Sequence, residues 1–229
     1  MKKTLILHLL LFVCVFTYAQ NKHFTLGIND SGLCFGNSEN TNGVRFNFLD
    51  KNVRTVNGLN VTLLKEDGRN NGISLALISL ESTTSNGIFA NGIFGYSSNI
   101  NGIGMGLMGC SAENFNGIGV GGLAITGENL NGVFTSIFGV SYWGSERIKR
   151  INGIAAGLII GANTNSLNGV AIGAQNNIGK QNGISIGIAN KAEELHGFQF
   201  GLWNVAKNKK YLKGMPFINF CFRKKDKKK

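Results

Sequence analysis

The sequence contains little of what most enzymes and metalloproteins use. Among 229 residues there are three histidines, one proline and four cysteines, and only 15% of the side chains are charged. No CxxC pair and no cluster of His, Asp and Glu occurs, so the sequence predicts neither a disulfide framework nor a metal site. No serine, cysteine or carboxylate lies in a recognisable nucleophile or acid–base motif. We therefore predict a non-enzymatic protein that uses no cofactor.

Long apolar runs are also rare, and the one that occurs lies at the N-terminus. Lys2 and Lys3 precede an apolar stretch over residues 5–16, and residues 17–19 fit a small-x-small cleavage site. This pattern predicts a signal peptide over residues 1–19 and an exported protein, located in the periplasm, the outer membrane or on the cell surface. No later stretch approaches the roughly 18 uninterrupted apolar residues of a membrane-spanning helix.

The net charge of +11 comes from the C-terminal end. Basic and acidic side chains are equal in number over residues 21–204, whereas beyond them the only acidic residue is Asp226, within a lysine-rich tail. Such a tail is either a solvated end or a contact for anionic lipid or lipopolysaccharide. The tail lacks the interleaved aromatics that stack bases, and the chain is predicted to be exported, so we expect no nucleic-acid partner. Any other envelope or surface partner is not identified by the sequence.

Glycine is abundant, with 33 residues, and it recurs in a fixed context. Asn-Gly pairs are most often spaced 15 residues apart, and His196-Gly197 continues the series. A constant period marks a repeat architecture in which each unit covers its neighbour. The structural repeat positions are Asn42, Asn57, Asn71, Asn86, Asn101, Asn116, Asn131, Asn152, Asn168 and Asn182.

Within each unit, the residues after Asn-Gly alternate between apolar and small. Ile184, Ile186 and Ile188 alternate with Ser185 and Gly187, which is the period of a strand. Because the interleaved residues are small and uncharged, either both faces are covered or one faces a close neighbour. A polar segment follows, which leads the chain to the next unit and is called the return below. We expect the lone apolar residue at its end, just before the next Asn-Gly, to be buried. These apolar residues are Phe115, Leu130, Leu167 and Leu195.

Two all-β architectures with tandem repeats of about 15 residues fit this pattern. We favour a parallel β-solenoid, in which the asparagines form a hydrogen-bonded ladder and the glycines occupy tight corners. The alternative is an antiparallel meander or a small outer-membrane β-barrel, in which equivalent positions would alternate between the two ends. The first architecture predicts an envelope or surface scaffold or binding module, and the second a membrane protein.

The predicted organisation has five parts, and the period is interrupted twice. Residues 1–19 are the signal peptide, 20–41 an N-terminal cap, 42–213 the repeat array, 214–222 a closing strand and 223–229 the basic tail. Asn91-Gly92 comes five residues after Asn86, and we interpret it as a local turn or bulge.

The second interruption is an insertion over residues 141–150 between Asn131 and Asn152. Insertions in repeat arrays project as loops, often from the binding face. This insertion contains residue types that are enriched at interfaces. Its candidate binding residues are Tyr142, Trp143, Arg147, Lys149 and Arg150.

The C-terminal units resemble a known repeat family. Residues 183–190 (GISIGIAN) and 197–206 (GFQFGLWNVA) are similar to the Gly-apolar-Gln-apolar-Gly-Leu-apolar-Asn repeat of bacterial surface-repeat proteins of spirochaetes and Bacteroidetes, and 214–222 resembles their aromatic, proline-containing ending. The resemblance extends from about residue 152 to residue 222, and earlier units carry Ala, Phe or Gly where Gln is usual. It implies a surface or envelope location and no particular activity.

Overall fold

The computed structural model describes residues 23–28, 31–65, 67–140 and 148–222, and within these ranges it contains strands and no helix. The strands are β1 His23–Ile28, β2 Ser31–Gly36, β3 Asn40–Phe46, β4 Leu49–Asp50, β5 Thr55–Lys65, β6 Arg69–Asn91, β7 Phe94–Gly106, β8 Gly109–Gly121, β9 Ala124–Ser136, β10 Gly139–Val140, β11 Ile148–Ala156, β12 Ile159–Ile172, β13 Gln175–Ile186, β14 Ala189–Ala206 and β15 Gly214–Cys221. The predicted signal peptide and the basic tail lie outside the described residues. The chain divides into two compact units, Met1–Ile103 and Gly104–Lys229, called the N-terminal and C-terminal units below.

In the N-terminal unit, β2, β3, β5 and β6 pair in parallel, and equivalent residues of successive coils lie side by side. Asn42 pairs with Asn57, and Asn57 with Asn71. The strand β1 instead pairs antiparallel with β2 and forms the outermost strand of this unit among the described residues.

The C-terminal unit repeats this arrangement. From β8 to β14 all strand pairs are parallel, so Asn131, Asn152, Asn168 and Asn182 stack in register, and β15 then pairs antiparallel with β14. The predicted parallel β-solenoid is therefore confirmed. The alternative of an antiparallel meander or barrel was wrong, because the strands of successive coils pair in parallel with equivalent residues side by side.

The polar return of each coil is itself part of a strand. The strand β8, for example, contains the return over residues 111–115, then Asn116-Gly117 and the alternating segment that follows. The strand bends at Gly117, whose φ is 137°, and the sharp corner comes later, at Gly122 and Leu123. The coils of β8, β9, β12 and β13 are thus each one long bent strand plus a short corner, and the predicted division into a strand and a polar return underestimated the strand content.

Glycine is required after each repeat asparagine because the coils approach closely there. A Cβ on Gly132 would lie 1.9 Å from the carbonyl oxygen of Gly117 in the preceding coil, which is far inside van der Waals contact. Its φ of 137° also lies in a region that other residues rarely adopt. The repeat therefore specifies glycine on both steric and conformational grounds.

The repeat asparagines form the expected ladder. In each unit the Nδ2 group of one asparagine donates to the Oδ1 of the asparagine in the preceding coil. The donor–acceptor distances in the N-terminal unit are 2.7 Å for Asn57 to Asn42, 2.7 Å for Asn71 to Asn57, 2.8 Å for Asn86 to Asn71 and 2.9 Å for Asn101 to Asn86. In the C-terminal unit they are 2.8 Å for Asn131 to Asn116, 2.6 Å for Asn152 to Asn131, 2.7 Å for Asn168 to Asn152 and 2.6 Å for Asn182 to Asn168.

The small residues of the alternating segment point inward, and the branched ones point outward. Ser185 is fully buried, whereas Ile186 and Ile188 are exposed. The interior is narrow: a Cβ on Gly119 would lie 2.7 Å from the Phe134 ring. Large interior side chains therefore fit only where a neighbouring coil contributes a small one.

The residues before each Asn-Gly fill that interior, as predicted. Phe115, Leu130, Leu167 and Leu195 are all fully buried. Phe115 packs edge-to-face on Phe134, with ring centroids 5.0 Å apart, an arrangement that favours a fixed geometry.

Candidate functional site

The alternating segments of the C-terminal unit place apolar side chains side by side on the outside of the sheet. One row follows the register Ile118, Val133, Ile154, Val170 and Ile184, and ends at Phe198 in β14. A second row, two residues further along each strand, includes Ile172, Ile186 and Phe200. The corners add two more outward positions in each coil.

We call this surface the C-terminal apolar face. Its exposed large members are Met105, Leu107, Met108, Ile118, Val120, Val133, Ile137, Phe138, Ile154, Leu158, Ile159, Ile172, Ile186, Ile188, Phe198, Phe200, Leu202 and Trp203. No charged side chain lies in these rows, and their polar members are Thr135 and Gln175.

The area of this face exceeds what an isolated soluble surface normally carries. If each half-exposed side chain presents about 50 Å² of apolar surface, the face presents on the order of 1,000 Å². The largest contiguous apolar patch on a typical soluble monomer is about 300–600 Å², and larger ones mark interaction sites. The face is therefore the strongest candidate functional site among the described residues.

The returns of the same unit carry the charges. Lys180 and Lys191 are exposed there, and two ion pairs join neighbouring coils. Lys149 Nζ lies 2.6 Å from Glu128 Oε2, and Lys207 Nζ lies 2.7 Å from Glu193 Oε1. The unit is thus amphipathic, with charges of both signs on the returns and none on the apolar face.

Aromatic and basic residues concentrate at the C-terminal end of this unit. Phe198 contacts Phe222, with ring centroids 5.2 Å apart, and Phe220 is likewise exposed. In the turn that follows β14, the ammonium of Lys210 lies 5.3 Å from the ring centroid of the exposed Tyr211. Aromatic rings with a polar edge, together with lysines, are typical of protein surfaces at the boundary between lipid and water.

The N-terminal unit contains a buried charge cluster that the sequence did not reveal. Arg45 and Asp50 are fully buried, and Arg45 Nη1 lies 3.2 Å from Asp50 Oδ2. Asn47 and Asn60 donate to the two carboxylate oxygens at 2.8 and 3.0 Å. Lys65 is 2% exposed, and its Nζ has no hydrogen-bond partner among the described residues. The cluster thus holds two cations and one carboxylate.

Burial is the largest influence on the pKa of both Arg45 and Lys65. Desolvation lowers the pKa of Arg45, against the attraction of Asp50, and Arg45 stays protonated because its ordinary pKa is so high. Desolvation lowers the pKa of Lys65 to about 8, although the charge of Asp50 opposes this change. The cluster is not exposed to solvent, so it acts on stability rather than on a ligand.

An apolar hollow of about 300 Å³ lies on the N-terminal unit, at the Asn91-Gly92 irregularity. Its lining includes Val61, Leu75 and Leu77. Gly92 has no side chain to fill the hollow, whereas the neighbouring coil has Leu77 beside it. The lining is mostly apolar and would suit a hydrocarbon group better than a polar ligand.

The candidate residues of the insertion are only partly described. Tyr142, Trp143 and Arg147 lie outside the described residues. Lys149 and Arg150 are exposed on β11, and Lys149 forms the ion pair with Glu128. The hypothesis of a binding loop over residues 141–150 therefore stays a prediction.

The described residues offer little else for chemistry. No group of three or more His, Cys, Asp or Glu side chains within the described ranges is close enough to hold a metal ion. Burial raises the pKa of the Cys110 thiol to about 12, which makes its thiolate scarce at neutral pH. None of the elements described is a helix that could cross a membrane.

The apolar face was not predicted as a site, although the sequence contains its alternating apolar residues. The alternation in 184–188 indicated two unlike sides, but not that the small side faces inward. Comparison of the chain with family models, with curated proteins and with solved structures gave no match.

Proposed function

We propose that this protein is an exported, non-catalytic β-solenoid scaffold of the cell envelope, and that its C-terminal apolar face binds a lipid surface. One observation carries the proposal. The apolar face is large and has no charge, whereas the returns carry charges of both signs. A solenoid of this kind lies flat on a bilayer much as an interfacial amphipathic helix does, with its apolar side chains among the headgroups and upper acyl chains.

The C-terminal end supports a lipid occupant over a soluble protein partner. Trp203 and Tyr211 are exposed, and Lys209, Lys210 and Lys213 occur close to them in the chain. The basic tail at 223–229 follows directly after Phe222. Lysines near an anionic lipid surface contribute about 1 kcal/mol each, so they add to the apolar term. The predicted signal peptide and the resemblance to surface-repeat proteins point to the same compartment.

The proposal predicts binding of the purified protein to vesicles of phosphatidylcholine with phosphatidylglycerol, measured by co-sedimentation. Ile186→Lys places a charge in the middle of the face, where Ile186 is now exposed. We expect binding at least tenfold weaker, because the substitution loses about 1 kcal/mol of apolar burial and adds a charge at the lipid boundary. Asn165→Lys adds the same charge on an exposed return and serves as the matched control.

Salt separates the two contributions to binding. Raising the ionic strength screens the lysines but leaves the apolar term, so binding should weaken and persist. Equal binding by the wild type and Ile186→Lys, with both folded by circular dichroism, would contradict the role of the face. Complete loss of binding in high salt would assign binding to the basic tail alone.

A further inference from the structure

The two antiparallel strands that end the units differ in how they protect their outer edges. Among the described residues, β1 is an outermost strand of the N-terminal unit and β15 of the C-terminal unit, and each pairs with one neighbour. The outer edge of such a strand presents backbone N–H and C=O groups that can pair with another chain. Proteins normally blunt these edges with proline, lysine or irregular backbone.

The strand β15 carries such protection. Pro216 lacks an N–H group, and Phe217 has a φ of 61°, which breaks the regular strand. The pairing of β15 with β14 shifts register between Gly201 and Asn204, which is another irregularity. A second strand would therefore pair poorly with this edge.

The strand β1 carries none of these features. Its six residues pair with β2 in an unbroken register and include no proline and no Lys, Arg, Asp or Glu. Phe24, Leu26 and Ile28 alternate along it and are 61%, 55% and 79% exposed. A regular, apolar and uncharged edge is the type that pairs with another strand.

We propose that β1 pairs antiparallel with the β1 of a second copy of this chain, forming a two-fold dimer. A strand can pair with an identical copy around a two-fold axis only in the antiparallel direction, and such a closed contact uses the same surface on both partners. A two-fold axis perpendicular to the sheet keeps the apolar side chains of both strands on one side. Phe24, Leu26 and Ile28 of the two copies would then lie side by side, without like charges to oppose them.

The difference between the outer edges of β1 and β15 favours a dimer over a filament. A head-to-tail contact would have to join β1 to the edge of β15, where Pro216 and Phe217 disrupt pairing. Head-to-head pairing uses the unprotected edge twice, and the part of the chain that the structure describes offers no second unprotected edge for growth. This inference does not depend on lipid binding.

Sedimentation velocity of the purified protein over a range of concentrations tests the dimer. We expect a dimer whose dissociation constant rises at least tenfold in Leu26→Lys, because the substitution puts two ammonium groups of like charge into an otherwise uncharged contact between the strands. Ile186→Lys, on the apolar face of the other unit, should leave the dimer unchanged. A monomeric wild type, or a dimer lost in Ile186→Lys and kept in Leu26→Lys, would overturn the proposal.

A second measurement distinguishes loss of the dimer contact from a folding defect in Leu26→Lys. Cysteine is placed separately at Phe24, Leu26 and Ile28, and each variant is oxidised, with the wild type as the control for its own cysteines. In an antiparallel two-fold pair one position lies nearest the axis, so one variant should form a covalent dimer much faster than the other two. Equal rates at all three positions, or no dimer beyond the wild-type level, would refute the β1 contact.

Discussion

The buried cluster of the N-terminal unit makes a sharp prediction about pH. Arg45 and Lys65 together contribute two positive charges, and Asp50 supplies one negative charge, so protonated Lys65 leaves an excess charge inside the coil. The pKa of Lys65 is about 8 in the folded chain, against an ordinary value of 10.5. This difference corresponds to about 3 kcal/mol of unfolding free energy.

The sign follows from the protons bound in each state. Below about pH 8 Lys65 is protonated in both the folded and unfolded chains, so it contributes no pH dependence. Between about 8 and 10.5 the unfolded chain holds a proton that the folded chain has lost. Stability therefore rises with pH in this window, by roughly 1.4 kcal/mol per pH unit at most, and levels off above it.

Lys65→Met removes the excess charge and keeps an unbranched side chain in place. At pH 7 we expect the variant to be more stable than the wild type by up to about 3 kcal/mol, and to lack the rise above pH 8. Native-state hydrogen exchange of peptides covering residues 45–65 reports this unit directly. Lys51→Met, at an exposed lysine of the same unit, is the matched control and should behave like the wild type. A destabilised Lys65→Met variant, or an unchanged pH slope, would refute the assignment of this effect to burial of the ammonium.

Three further substitutions probe the charge cluster, the glycine positions and the asparagine ladder. Asp50→Asn leaves Arg45 without its counter-ion in the interior, so we expect a loss of about 3–5 kcal/mol, measured by the same hydrogen exchange. Gly132→Ala places a Cβ 1.9 Å from the Gly117 carbonyl oxygen, at a φ that alanine rarely adopts, and should cost several kcal/mol in urea unfolding of the C-terminal unit. Asn131→Leu removes one rung on each side of the ladder and should cost about 1–2 kcal/mol in the same assay, because the ladder is largely exposed to water.

The controls for these substitutions use positions with a different environment. Gly214→Ala places a Cβ 3.0 Å from the side chain of Trp203 rather than near backbone, so the unit can adjust and should lose little stability. If Gly132→Ala costs no more than Gly214→Ala, close approach does not explain the glycine repeat. If Asn131→Leu costs no more than Asn165→Leu at an exposed return, the ladder does not contribute to stability.

The repeat length and the parallel register could be predicted because every coil shares one steric requirement. The residue after each repeat asparagine must leave room for the carbonyl oxygen of the preceding coil, and only glycine does so. The sequence therefore shows this requirement in every repeat. The lone apolar residue before each asparagine was also informative, since Phe115 and Leu195 stood out within polar stretches and proved to be buried.

The direction of the alternating segment was not predictable in the same way. Alternation of Ile184, Ser185 and Ile186 shows that two sides differ, but a half-buried sheet normally turns the branched side inward. Here the interior is too narrow for a row of isoleucines, because neighbouring coils already fill it with Phe115 and Phe134. That constraint comes from packing between coils and is absent from any single unit. Arg45 and Asp50 were missed for another reason: they lie five residues apart in one coil, and the sequence does not show that both side chains are buried.

The outward isoleucines of the C-terminal unit are relevant to its function. In the C-terminal unit, backbone hydrogen bonds between coils, the asparagine ladder and a filled interior stabilise the coil. Ile172, Ile186 and Ile188 remain 44%, 44% and 59% exposed, so a large part of their apolar surface gains nothing from folding of the single chain. Threonine or lysine there would suit a strand exposed to water and would reduce aggregation. A large exposed apolar surface is typical of an interaction site, and the uniform, uncharged chemistry of this one is the reason why we propose a lipid surface as its partner.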